Sequence, residues 1–104
     1  MSLKYPYLWE LSGGKPDFVK MMLSTFIQSS EEYKKELSMA MTGSEKEISQ
    51  VAHKVKSACK IVGAGELAEV FETLQGYPDQ SSLPSVMDSL DRLVVSIKSD
   101  LELL

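Results

Sequence analysis

The chain has 104 residues, 43% of them hydrophobic and 25% charged, with a net charge of -4, and that length and composition fit one globular domain, residues 1–104, with a small core. The acidic balance argues against a nucleic-acid binder, and no apolar run approaches the length that crosses a bilayer. A single cysteine rules out an internal disulfide and suits a reducing, cytoplasmic setting.

No strand-like alternation of any length appears, and Gly and Pro fall between helical patterns rather than inside them. The first predicted element is short, Tyr7 to Leu11, with Leu8, Trp9 and Leu11 apolar, and Gly13-Gly14 stops it. Pro16 suits the first turn of the next helix, and Asp17 favours its positive end. That second helix runs to about Met41. Its later half is amphipathic, with Tyr33, Leu37, Ala40 and Met41 set against Glu31, Glu32, Lys34, Lys35 and Glu36. In its first half Phe18, Val19, Met21, Met22, Leu23, Phe26 and Ile27 go most of the way round the cylinder. Either Leu8 and Trp9 cover the extra face, or it is left open for a partner.

The third helix starts near Ser44, which has capping-box spacing to Glu47, and ends around Gly63. Ile48, Val51, Ala52, Val55, Ala58, Cys59 and Val62 follow the spacing of a stripe facing a core. At about 100° per residue, His53 lies roughly 160° around from Val55 and points away from that core. Lys56, Ser57 and Lys60 share the face of His53, as do Lys46, Ser49 and Gln50. The face carries three lysines and no acid in an acidic chain. A fourth helix follows Gly63-Ala64-Gly65, with Leu67, Ala68, Val70, Phe71 and Leu74 on its core side, and ends near Gly76-Tyr77-Pro78. After a polar loop, Asp79 to Ser82, the last helix sets Leu83, Val86, Leu90, Leu93, Val94, Ile97, Leu101 and Leu104 in one seam. The expected fold is all-α, an antiparallel four-helix bundle with a short additional N-terminal helix.

Helices three and four turn around Ala64, and His53 lies as far before it as Gln75 lies after it. In an antiparallel pair the two stand at about the same height. Gln75 sits at the edge of the apolar face, where its amide can reach a ring nitrogen of His53 and fix which nitrogen is free. Cys59 lies on the apolar stripe and reads as a core thiol. One His and one Cys six residues apart cannot build a zinc site. Gly63-Ala64-Gly65 lacks a preceding strand and is not a nucleotide loop. An exposed histidine taken alone is usually incidental, and Lys54 and Lys60 taken alone read as a solvated face. Lys60 also suits the steering of an acidic partner.

The run His53-x-Val55-Lys56-Ser57-Ala58-Cys59, followed by Gly63, Leu67, Phe71 and Leu74-Gln75, resembles the histidine-containing phosphotransfer (HPt) domain of bacterial multistep phosphorelays. The segment Leu8 to Gly14 and the Phe18 to Phe26 helix are similar to the N-terminal part of such domains. The resemblance implies that His53 is the phosphoacceptor, that Lys56 is the lysine of the motif, and that Gln75 orients the ring. It departs from the pattern at Ser57, where glycine is more usual and leaves room for a partner. Gln75 stands where some members carry glutamate. The resemblance further implies receiver domains of response regulators or hybrid kinases as partners, with Gln50, Ser57 and Lys60 facing them. No kinase activity, metal site or cofactor is expected in the chain itself. Mg²⁺ and the acceptor aspartate would come from the receiver.

The expected function is therefore phosphoryl transfer through His53, received from one receiver aspartate and passed to another. Two other readings stay open: a bundle that only binds partners, its histidine incidental or inactive, and a dimeric scaffold built on the last helix. A monomer without membrane contact is expected. No signal peptide is visible. Met1-Ser2-Leu3 reads as a possible cloning remnant, and the chain as a possible excerpt of a larger sensor protein.

Overall fold

A computed structural model describes residues 4–104; Met1-Ser2-Leu3, and the reading of them as a remnant, lie outside the described residues. Five α-helices follow one another: α1 Pro6–Ser12, α2 Pro16–Ala40, α3 Glu45–Ile61, α4 Gly65–Gly76 and α5 Leu83–Leu103, the last preceded by a 3₁₀ turn, Gln80–Ser82. No strand occurs among the described residues. The all-α bundle is therefore as the apolar spacing implies, and the helix limits differ from the expected ones by one or two residues.

Each boundary has a local cause. Gly13 adopts φ 66° and ends α1, where the buried Ser12 hydroxyl donates to the Trp9 carbonyl (2.9 Å) and accepts from the amides of Gly14 (3.1 Å) and Lys15 (3.0 Å). That hydroxyl satisfies three backbone groups at the α1–α2 corner. Pro16 occupies the first turn of α2, where its missing N–H costs nothing. Ser44 caps α3 by accepting from the Glu47 amide (3.3 Å). Gly63 ends α3 at φ 76°, and the Ala64 amide returns to the Cys59 carbonyl (2.9 Å), closing the last turn before the chain enters α4.

The core is the set of stripes the periodicity implies: Leu8, Val19, Leu23, Phe26, Leu37, Ile48, Ala52, Val55, Cys59, Ala68, Phe71, Leu74, Leu83, Leu90 and Ile97 are all buried. α2 and α3 run antiparallel, since Lys54 reaches back to Glu36 (2.9 Å) near their connection while Met22 and Phe26 line a hollow with Ala58 and Val62 at the far end. α3 and α4 form the closest pair, and α4 meets α5 only sparsely. That looseness explains one correction: Val70, expected on the core side, is 44% exposed, because α4 carries a wider apolar arc than α3 alone can cover. Met41 and Leu104 are likewise partly exposed rather than buried, at 37% each; both lie at helix ends.

The doubly apolar start of α2 divides. Val19, Leu23 and Phe26 are buried, and Phe18, Met22 and Ile27 pack at the core's edge together with Trp9. Met21 is exposed. α1 covers the greater part of the surplus face, with Leu8 fully buried. The two ends of the described chain meet: the Tyr5 hydroxyl and Lys4 both donate to the Asp100 carboxylate.

Candidate functional site

α3 presents its apolar stripe to the bundle, so its opposite face is solvated. His53 is exposed, while its near neighbours in sequence, Ala52 and Val55, are buried on the opposite side of the helix. The α3–α4 hairpin brings Gln75, from the last turn of α4, to the same height, as the count around Ala64 implies. His53 Nδ1 lies 3.3 Å from Gln75 Oε1. The same oxygen accepts a hydrogen bond from Lys56 Nζ at 3.0 Å. His53, Lys56 and Gln75 therefore form one cluster centred on a single amide oxygen.

Lys56 is half-buried rather than fully solvated. Its stem lies along the hairpin and its ammonium turns to Gln75, which a helical wheel of α3 alone cannot reveal. The expectation that it simply faces solvent is corrected to that extent. Ser57 is exposed, and its hydroxyl donates to the His53 carbonyl (3.2 Å), the usual back-bond of a serine inside a helix. Lys60 and Gln50 are exposed on the flanks of His53; neither hydrogen-bonds the His53–Gln75 pair, and Gln50 borders a hollow with Met39, Val51 and Lys54. Lys54 is held to Glu36 by both carboxylate oxygens, at 2.9 and 3.0 Å, so it is an ion-paired lysine rather than a freely solvated one. No ion pair among the described residues involves His53, Lys46, Lys56 or Lys60. The ring thus stands beside ammonium groups without a compensating carboxylate.

One residue of the site was on the predicted face but carried no predicted role. The Ser49 hydroxyl donates to the Gln75 backbone carbonyl (2.9 Å). That carbonyl belongs to the last turn of α4, where helix carbonyls have no partner of their own. Ser49 satisfies it from across the hairpin and pins the residue that faces the ring. The signal in the sequence was a small hydroxyl one turn before His53, which by itself does not say what it bonds.

Cys59 is buried and its thiol is pushed up to about 12 by desolvation, which makes it a packing residue with little thiolate at neutral pH. Among the described residues no group of three His, Cys, Asp or Glu stands together to hold a metal ion. Nor is any described helix long and apolar enough to cross a membrane.

An exposed imidazole with one ring nitrogen engaged, a second ring nitrogen free, and unpaired ammonium groups alongside is able to act as a nucleophile toward an anionic group. The family model for the Hpt domain matches residues 21–104, from the second turn of α2 through the end of α5. The match leaves out α1, whose similarity to such domains rests on the Leu8 to Gly14 segment alone. No curated protein and no solved structure matches the chain significantly.

Proposed function

The chain belongs to the Hpt domain family, and from that premise we propose that it is a phosphoryl carrier of a phosphorelay with His53 as its phosphoacceptor. Hpt domains act in phosphotransfer as carriers rather than as kinases. The observation that carries the assignment to His53 is the contact between its Nδ1 and Gln75 Oε1. An amide oxygen only accepts, so the nitrogen facing it is the protonated one. The Nε2 lone pair is then left pointing to solvent.

In this reading Nε2 attacks the phosphorus of an aspartyl phosphate on a receiver domain. The N–P bond forms, the bond from phosphorus to the aspartyl oxygen breaks, and the aspartate leaves as a carboxylate. The ring becomes positively charged as it is phosphorylated, and Gln75 Oε1 accepts from the Nδ1–H that carries this charge. The reverse step delivers the group to a second receiver. Phosphoryl transfer of this kind needs positioning and charge stabilisation more than new protein bonds. Lys56 and Lys60 supply positive charge for the phosphoryl oxygens, and Gln50, Ser57 and Lys60 form the rim on which the receiver docks. In this reading Mg²⁺ and the acidic acceptor are both supplied by the receiver. A monomeric carrier in the cytoplasm fits this role.

The test is transfer from a phosphorylated receiver domain to the wild type and to His53→Gln. The wild type takes up label and the variant takes up none. Equal uptake by both removes His53 from the role. Stable receiver binding without phosphohistidine under any donor favours a partner-binding bundle instead.

A further inference from the structure

We infer that Lys56 is a positioning residue that sets the tautomer of His53 indirectly, by locking the amide of Gln75. The inference rests on the assignment of His53 as the nucleophile and adds to it what keeps the nucleophile in its reactive form.

An ammonium group has three donors and no acceptor. The Gln75 atom at 3.0 Å from Lys56 Nζ must therefore be the amide oxygen. Turned over, the amide would set its NH₂ against a cation, donor to donor. With the oxygen held in place, the ring atom at 3.3 Å from it must be a donor, which makes His53 Nδ1 the protonated nitrogen. Nε2 then keeps its lone pair. Remove Lys56, and the amide is free to turn its NH₂ to the ring. Nδ1 then becomes the acceptor, Nε2 takes the proton, and the outward nitrogen is no longer nucleophilic.

Two further observations support a locked amide. Lys56 and Gln75 are both half-buried, so water competes less for their contact than it would on the open surface. The Gln75 backbone is held by Ser49 at 2.9 Å, so the amide turns about its own torsions and not with the chain. An ammonium that spends one N–H on Gln75 retains two for phosphoryl oxygens, so this role does not displace the charge-neutralising one.

The test reads the unphosphorylated protein. Histidine is isotopically labelled at its ring nitrogens, and the ratio of Nδ1–H to Nε2–H ring is measured by heteronuclear NMR in the neutral range. In Lys56→Met the ratio falls about tenfold, the factor that one charge-assisted hydrogen bond at a half-exposed site controls. Lys56→Arg, also donor-only, restores it. In Gln75→Glu both side-chain oxygens accept, so there is no amide to turn. Adding Lys56→Met to that background leaves the ratio unchanged. An unchanged ratio in Lys56→Met alone overturns the inference, and so does an equal fall in the Gln75→Glu background. Neither result depends on a phosphodonor. A wild type that accepts phosphoryl while Lys56→Met keeps its tautomer refutes this inference alone; a wild type that accepts none refutes the carrier reading and leaves the tautomer measurement standing.

Discussion

Ser49→Ala isolates one bond that connects the stability of the hairpin to the chemistry proposed for it. The wild-type hydroxyl donates at 2.9 Å to the Gln75 carbonyl. A neutral hydrogen bond of this kind contributes about 0.5–1.5 kcal/mol, and because Ser49 is only half-buried, water can partly replace it. A loss of about 1 kcal/mol is therefore expected, which in a domain of roughly this size lowers Tm by about 4–8 °C. The same energy frees the last turn of α4, where Gln75 sits. Opening that turn by about 1 kcal/mol changes its population about fivefold, so phosphoryl uptake from a receiver should slow by up to about fivefold. Alanine has higher helix propensity than serine, which works against the predicted fall. Far-UV circular dichroism on heating reads the first effect, and a time course of label uptake reads the second. If Ser49→Ala melts with the wild type and accepts phosphoryl at the wild-type rate, the hydroxyl does not hold Gln75.

Three further outcomes are expected. Gly63→Ala should cost about 1–2 kcal/mol, the penalty for a left-handed residue with a Cβ, because φ is 76° and nothing lies within 4 Å of an added Cβ; a neutral urea midpoint would mean the turn relaxes. Cys59, its thiol pushed up to about 12 by burial, should react with a disulfide reagent only through unfolding, so labelling rates should rise in step with destabilising variants; labelling of the native protein at the rate of a free thiol would contradict its burial. The hydrogen bond from Tyr5, aided by Lys4, holds the Asp100 carboxyl below its usual range. A carboxyl depressed in the folded state stabilises above its unfolded value of about 3.9 and loses that contribution as pH falls through the folded value. The Tm gap between wild type and Tyr5→Phe should therefore be open at neutral pH and close in strong acid, and a gap that is constant with pH would show the carboxylate is not involved.

The apolar periodicity carried the fold because each long helix presents one continuous stripe to one core. Its errors fall where a neighbour decides the outcome. Val70 has the spacing of a core residue, but its exposure follows from how loosely α4 meets α5. Ser30 is buried on α2 because its hydroxyl returns to the Ile27 carbonyl at 2.6 Å, and polarity alone would place it outside. Of the site, His53 and Gln75 were readable because an antiparallel hairpin converts a count of residues into a height. The direction of Lys56 toward Gln75, and the reach of Ser49 to a carbonyl at the end of α4, depend on side-chain torsions and on the tightness of the helix pair. Neither leaves a trace in spacing. The pairing of Tyr5 with Asp100 joins groups 95 residues apart, which no local pattern encodes.

The most direct measurement is the atom to which phosphorus becomes attached. After transfer from a phosphorylated receiver to protein with isotopically labelled histidine, the phosphorus–nitrogen coupling identifies the bonded nitrogen. Coupling to Nε2 of His53 is the predicted result, since Nδ1 faces Gln75. Coupling to Nδ1, or phosphate on any other residue, contradicts the account.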